Sequence, residues 1–204
     1  MKRLFLIVGI VSLFAVNAFS ASHFSDDQPV VSIGINDLII VSDVNKVMEY
    51  AKAKGLNDRA LDQIKLADES YVKGVQFLQQ SSPTEAIQSF KTSFKNYKRA
   101  KLSEDALNFA NLQLAVAHQL SDDDRNKKKV MRYLELVTKS IEKEKEWVYN
   151  LAILNYLNNN ESRSAELLES VIKMDKEFFK AYGNLAAVYQ TINQPKKAEK
   201  TLSR

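Results

Sequence analysis

Residues 148–157 read VYNLAILNYL, and residues 182–191 read YGNLAAVYQT. The two stretches align at an offset of 34. Asn150-Leu151-Ala152 recurs as Asn184-Leu185-Ala186, and the same offset pairs Val148 with Tyr182, Leu154 with Val188, Asn159 with Asn193 and Leu168 with Leu202. Apolar residues return every three or four positions in both stretches, the spacing that gathers them on one side of a helix. A helix–turn–helix unit repeated every 34 residues is the resulting expectation.

Working outward, the same periodicity extends over residues 57–204. Phe90, Phe94 and Tyr97 fall at i, i+4 and i+7, a core stripe on one helix. Ser82, Pro83 and Glu85 have the order of an N-cap, N1 and N3 in a capping box. Ser103 is placed to cap the next helix, which carries Leu107, Ala110, Leu114 and Ala117 on one face. Ser121-Asp122-Asp123-Asp124 then makes a turn long enough to spoil the 34-residue register, before a partner helix with Val130, Tyr133, Leu134, Val137 and Ile141. Asp175 is expected to cap a helix bearing Phe178, Tyr182, Leu185, Tyr189 and Ile192. Asn193 ends that helix and Pro195 opens the last one. Gly74, Ala152 and Ala186 are read as close-approach points between paired helices, with the small Ala86 and Ser164 opposite.

This pattern resembles the tetratricopeptide repeat. Tyr182, Leu185-Ala186, Tyr189 and Ala198 occupy the positions that the family gives to an aromatic, Leu-Gly, a second aromatic and a small residue. Val148, Leu151-Ala152, Ser164 and Leu168 match again, although Asn155 replaces the aromatic and Lys176 stands where Pro is usual. Gly74, Phe77, Ala86 and Phe90 match upstream, with Lys73 in place of the Leu. The resemblance covers residues ~60–204 and implies an all-α solenoid of antiparallel helix pairs, about four units, with residues 104–143 as a degenerate one. It also implies a concave groove lined by the first helix of each unit.

The groove positions so implied are Tyr71, Val72, Val75 and Leu78 in the first unit. In the third they are Glu146, Tyr149, Asn150, Ile153, Tyr156 and Leu157, and in the last Lys180, Gly183, Asn184, Ala187, Gln190 and Thr191. Tyr149, Ile153, Tyr156 and Leu157 are expected to form an apolar floor. Asn150 and Asn184 are suited to hydrogen-bond an extended peptide, since an amide both donates and accepts. A clamp for a C-terminal carboxylate needs several inward cations, and only Lys180 is offered.

Composition narrows the chemistry. The 204 residues hold no Cys and two His, which excludes disulfides, thiolate nucleophiles and a lipid-modified N-terminal Cys, and leaves little for a metal site or a catalytic triad. Five Gly and three Pro favour helices over a turn-rich β fold. His118 has no second His or Cys near it and reads as a satisfied, partly buried side chain. Lys91, Lys95, Lys98, Arg99 and Lys101 read as a solvated face beside the aromatic stripe, with an anionic partner as the competing reading. Asp122 to Asp124 lack the alternation and the Gly of a calcium loop. Glu142 and Glu146 share a helix face but are interleaved with Lys143 and Lys145, a solvated charged stretch. No cofactor is expected.

Residues 1–20 read as a signal peptide. Lys2 and Arg3 precede thirteen uncharged residues, Leu4 to Val16, and the small Ala18, Ser20 and Ala21 follow. That run is shorter than the ~18–20 residues that span a bilayer. Its removal leaves 27 basic and 25 acidic residues, or +2 from the formal +4, a balance that does not favour nucleic acid. A periplasmic or secreted location follows, with no membrane span in the mature chain. Residues 21–56 form a lead-in. Val30 to Val41 is expected as a short hairpin or as an extended segment lying on the helical body, then one short helix closed by Gly55. The expected function is a non-catalytic scaffold or adaptor that binds a protein or peptide in the groove. The competing expectation is a self-assembling or accessory envelope subunit. That reading uses the uncapped last helix, where Ala198 and Leu202 pack inward and Lys196, Lys197, Lys200 and Arg204 weaken self-association.

Overall fold

The computed structural model describes residues 33–40, 55–102, 104–121, 126–137 and 144–203. Among the described residues the protein is all-helical, with eight α-helices, one 3₁₀ turn and no strand. The helices are α1 (Asp58–Gln79), α2 (Pro83–Arg99), α3 (Glu104–Leu120), α4 (Lys127–Leu136), α5 (Lys145–Leu157), α6 (Glu161–Met174), α7 (Phe179–Thr191) and α8 (Pro195–Leu202). Helices α5 and α7 are offset by 34 residues at both ends, and α6 and α8 start 34 apart. The spacing read from the sequence is thus the spacing of the elements in that half.

Each helix packs on its neighbour in sequence, most extensively α1 on α2 and α5 on α6. Alternate helices also touch side by side. Gln113 of α3 donates to the Tyr71 hydroxyl of α1 at 2.9 Å. Phe109 of α3 and Trp147 of α5 meet edge to face at 4.9 Å, and Asn158 just beyond α5 donates to Gln119 of α3 at 3.1 Å. Asn184 of α7 donates to the Tyr149 hydroxyl of α5 at 2.8 Å. Helices α1, α3, α5 and α7 therefore form one row.

Four turns share one geometry. Ser81, Lys101, Asn159 and Asn193 each have φ between 56° and 61°, the left-handed region. The amide after each of them reaches back five residues: Ser82 to Phe77, Leu102 to Tyr97, Asn160 to Asn155, and Gln194 to Tyr189. This is the Schellman closure, here made without Gly. It also corrects the expected capping box. Ser82 and Pro83 do sit at N-cap and N1, but the Ser82 hydroxyl makes no cap bond. Its amide, which Glu85 would need, is already spent on Phe77 at 2.8 Å. Asp175 likewise does not cap α7. It ends α6, and its carboxylate accepts from Glu177 N–H at 2.9 Å and from Lys145 at 2.5 Å, while the N-cap of α7 is Phe178.

The core runs from Tyr71 through Phe90, Leu114, Tyr149, Leu168 and Val188 to Ala198, with a smaller cluster of Ile64, Ala67, Tyr97 and Leu107 beside it. Ala86, Ser164, Ala152 and Ala186 are buried. At Gly74 a Cβ would come within 2.5–2.8 Å of three Phe90 ring atoms, so the close approach requires Gly. Helix α4 stops at Leu136, so Val137 lies beyond it. Leu202 is exposed rather than packed inward, because no described element covers the last turn of α8. The expected signal peptide, the short lead-in helix, Ser103, Asp122 to Asp124, Ile141, Glu142, Lys143 and Arg204 lie outside the described residues. Gly55 has φ of +63°, in the left-handed region.

Candidate functional site: the face of α5 at Asn150

Residues 33–40 lie on the helical row. Of the run Val30 to Val41, residues 33–40 are described; they lie on the helical body as irregular backbone with a 3₁₀ turn and form no hairpin among themselves, and residues 30–32 and 41 lie outside the described residues. Ile35–Asp37 forms a 3₁₀ turn, closed by Asp37 N–H to Gly34 C=O at 3.1 Å and by the Asp37 carboxylate accepting from Gly34 N–H at 2.8 Å. Leu38 leaves the turn with extended backbone. Ile33 is buried, and Leu38, Ile39 and Ile40 pack half-buried against the main core.

Asn150 holds this segment. Ile39 N–H donates to Asn150 Oδ1 at 2.8 Å, and Asn150 Nδ2 donates to Ile39 C=O at 2.6 Å. One amide thus satisfies both backbone groups of one residue, as a neighbouring β-strand would. Asn150 is 0% exposed. A buried primary amide is costly without partners, so the pairing lets a polar side chain stand in this core.

Tyr149 is also fully buried, and its hydroxyl accepts from Asn184. Burial raises its pKa, the nearby Asp37 carboxylate adds to the rise, and the Asn184 bond opposes it. The Tyr149 ring lies 5.1 Å from that of Phe178. Lys145 at the start of α5 bonds Asp175, which lowers the Asp175 carboxyl and raises the Lys145 ammonium. These contacts join α5 to the α6–α7 connection.

The sequence-derived groove residues divide into two groups. Tyr71, Val75, Tyr149, Asn150, Ile153, Asn184 and Ala187 are buried. Tyr156 is half-buried, its hydroxyl 3.2 Å from Thr191 Oγ1, and Gln190 is exposed. Tyr149 and Ile153 are therefore part of the packed core and not an open floor. The reason is lateral contact: α5 meets α3 and α7 on its two sides, and residues 33–40 pack against the same core. Of the two Asn, Asn150 reaches peptide backbone and Asn184 is taken by Tyr149.

No protein-family model matches the chain, and no curated protein matches it.

Lys91, Lys95, Lys98, Arg99 and Lys101 are exposed. His118 is buried; neither ring nitrogen meets strict hydrogen-bond geometry with a described residue, but Asn126 lies close enough to favour the charged ring. Its ring stacks on Tyr133 at 5.6 Å, and burial, with Lys129 and Lys91 nearby, lowers its pKa to about 4. Between α6, α7 and α8 lies a concavity of about 330 Å³, lined by Ile172, Tyr182, Leu185 and Tyr189 with Lys173, Lys197 and Lys200 around it. Tyr189 donates to Glu169, its pKa pushed up to about 12 by burial and by that carboxylate. No described helix is long and apolar enough to cross a membrane, and no cluster of metal-ligating side chains occurs among the described residues.

The backbone that Asn150 holds is that of Ile39 in its own chain, which the sequence did not indicate. The signal for that segment was the β-branched run before residue 41, whose destination no local pattern records.

Proposed function

We propose that this protein is a non-catalytic binding scaffold of the bacterial cell envelope, a solenoid of tetratricopeptide-like helix pairs that takes up an extended peptide segment of a protein partner along α5 and α7. One observation carries the reading: the Asn150 amide pairs with both backbone groups of an extended segment, Ile39 of its own chain. A side chain that recognises main chain accepts many sequences, as peptide-binding surfaces do. Tyr156, Thr191 and Gln190 continue the same face outward toward solvent. The 34-residue element spacing and the paired packing support the solenoid, and the charged, apolar and small-residue run at residues 2–21 supports export.

The test is affinity purification from the native envelope with the full chain and with Tyr156→Ala plus Gln190→Ala. Loss of a co-purified protein from the folded double variant is expected. Undiminished recovery refutes binding on this face, and recovery of the chain itself alone favours a self-assembling subunit.

A further inference from the structure

Resting on that reading, we infer that residues 33–40 are a built-in competitor for the α5 face, and that the partner is an internal extended segment of the same chemistry: branched apolar side chains around one residue whose N–H and C=O both face Asn150. Three observations converge. Both polar ends of Asn150 are used by one residue, so the site reads a strand backbone and needs no chain terminus. Lys180, the one Lys or Arg within α7, is exposed. The occupying arm is apolar, with Ile33, Leu38, Ile39 and Ile40 on the core.

The occupant also holds its own local shape. Its 3₁₀ turn is closed by its own Gly34 and Asp37, so it carries its local fold with it. Fourteen residues, 41–54, join it to Gly55 and the start of the helical body. Because the arm belongs to the same chain, its return to the face is an intramolecular event. A free segment of equal intrinsic affinity must therefore compete against it, and its apparent affinity falls by the fraction of chains that are open.

The experiment uses the full chain and a fluorescein-labelled peptide of residues 30–41, VVSIGINDLIIV, followed by anisotropy. Ile39→Pro in the chain removes the N–H that Asn150 accepts and displaces the internal arm. The labelled peptide is expected to bind this variant at least about tenfold more tightly than the native chain. A peptide with Pro at the same position is expected to bind neither. In the native background, Asn150→Ala is expected to speed hydrogen exchange at the Ile39 amide at least about tenfold. Equal peptide binding to both chains, no binding to a folded Ile39→Pro chain, or unchanged exchange in Asn150→Ala overturns the inference. A native chain that dimerises, and loses its dimer on Ile39→Pro, also overturns it by placing a second copy in the site. If the Ile39→Pro chain captures a protein through Tyr156 and Gln190 while the peptide neither binds nor competes, the proposed scaffold function survives and the strand-copy partner does not.

Discussion

Gly74 and Gly183 both stand inside helices, and replacing each with Ala should move stability in opposite directions. At Gly74 the added methyl would lie 2.5, 2.7 and 2.8 Å from three ring carbons of Phe90. Ordinary carbon contacts lie at ~3.5–4.0 Å, so about 1 Å must be recovered. The ring has nowhere to go. Phe90 is fully buried, its edge-to-face partner Tyr71 is 5.4 Å away, and Tyr71 is tied in turn to Gln113. Such overpacking costs roughly 1–3 kcal/mol, against which Ala recovers about 1 kcal/mol of helix propensity. A Cβ on Gly183 meets nothing within 4 Å, so Gly183→Ala keeps the propensity gain alone. The difference between the two variants isolates the packing cost, about 1–3 kcal/mol. Thermal and urea unfolding by circular dichroism read it directly: at ~2–4 °C per kcal/mol for a chain of this size, Gly183→Ala should melt a few degrees above Gly74→Ala and above the parent. Finding Gly74→Ala as stable as Gly183→Ala would refute the α1–α2 contact as described.

Three further expectations follow from single contacts. His118 is neutral in the fold, with a pKa of about 4 against the usual 6.5, so the unfolded chain takes up the proton first. Its contribution is complete above pH 6.5 and is lost progressively as pH falls toward 4. Urea midpoints measured across that window should be flatter in His118→Leu than in the parent, and parallel curves would contradict this. Lys101 sits at φ +57° without the side-chain polarity that helps Asn159 and Asn193 tolerate that region. Lys101→Gly should therefore raise stability by ~0.5–1 kcal/mol in thermal melts, and Asn159→Gly by less. Tyr149→Phe removes the oxygen that accepts from Asn184 and strands a buried amide, at a cost of about 1–2 kcal/mol in urea titration; no change would show that Asn184 has another partner.

The helical pairing was legible because it is local chemistry written periodically. Apolar residues at three- and four-residue spacing imply a buried side, and the 34-residue recurrence from Asn150 to Asn184 appears in the bounds of α5 and α7. Gly74 was legible as a close-approach point because a missing side chain inside a helix needs a reason, and Phe90 supplies it. Turn chemistry was less so. Ser81 and Lys101 adopt a conformation that their residue types do not advertise, and it is the return of the next amide to the preceding helix that places them there. Ser82 and Asp175 carried cap-forming side chains, yet Ser82's amide closes α1 and Asp175's carboxylate serves Lys145 and Glu177.

The candidate site divides along the same line. The resemblance placed Asn150 among groove positions, and its residue type suited it to hold a peptide backbone, because an amide presents a donor and an acceptor side by side. Which backbone it holds was decided by tertiary structure. Ile39 lies 111 positions away in the chain, and no periodicity, spacing or charge pattern links the two. The same holds for Tyr149 and Ile153, whose apolar character is equally suited to an open floor or a closed core. They became core because α3 and α7 stand on either side of α5 and the segment at residues 33–40 packs on the same cluster. Local sequence determines which faces must be covered, and only the assembled fold determines what covers them, since burial depends on neighbours that the chain brings together from a distance.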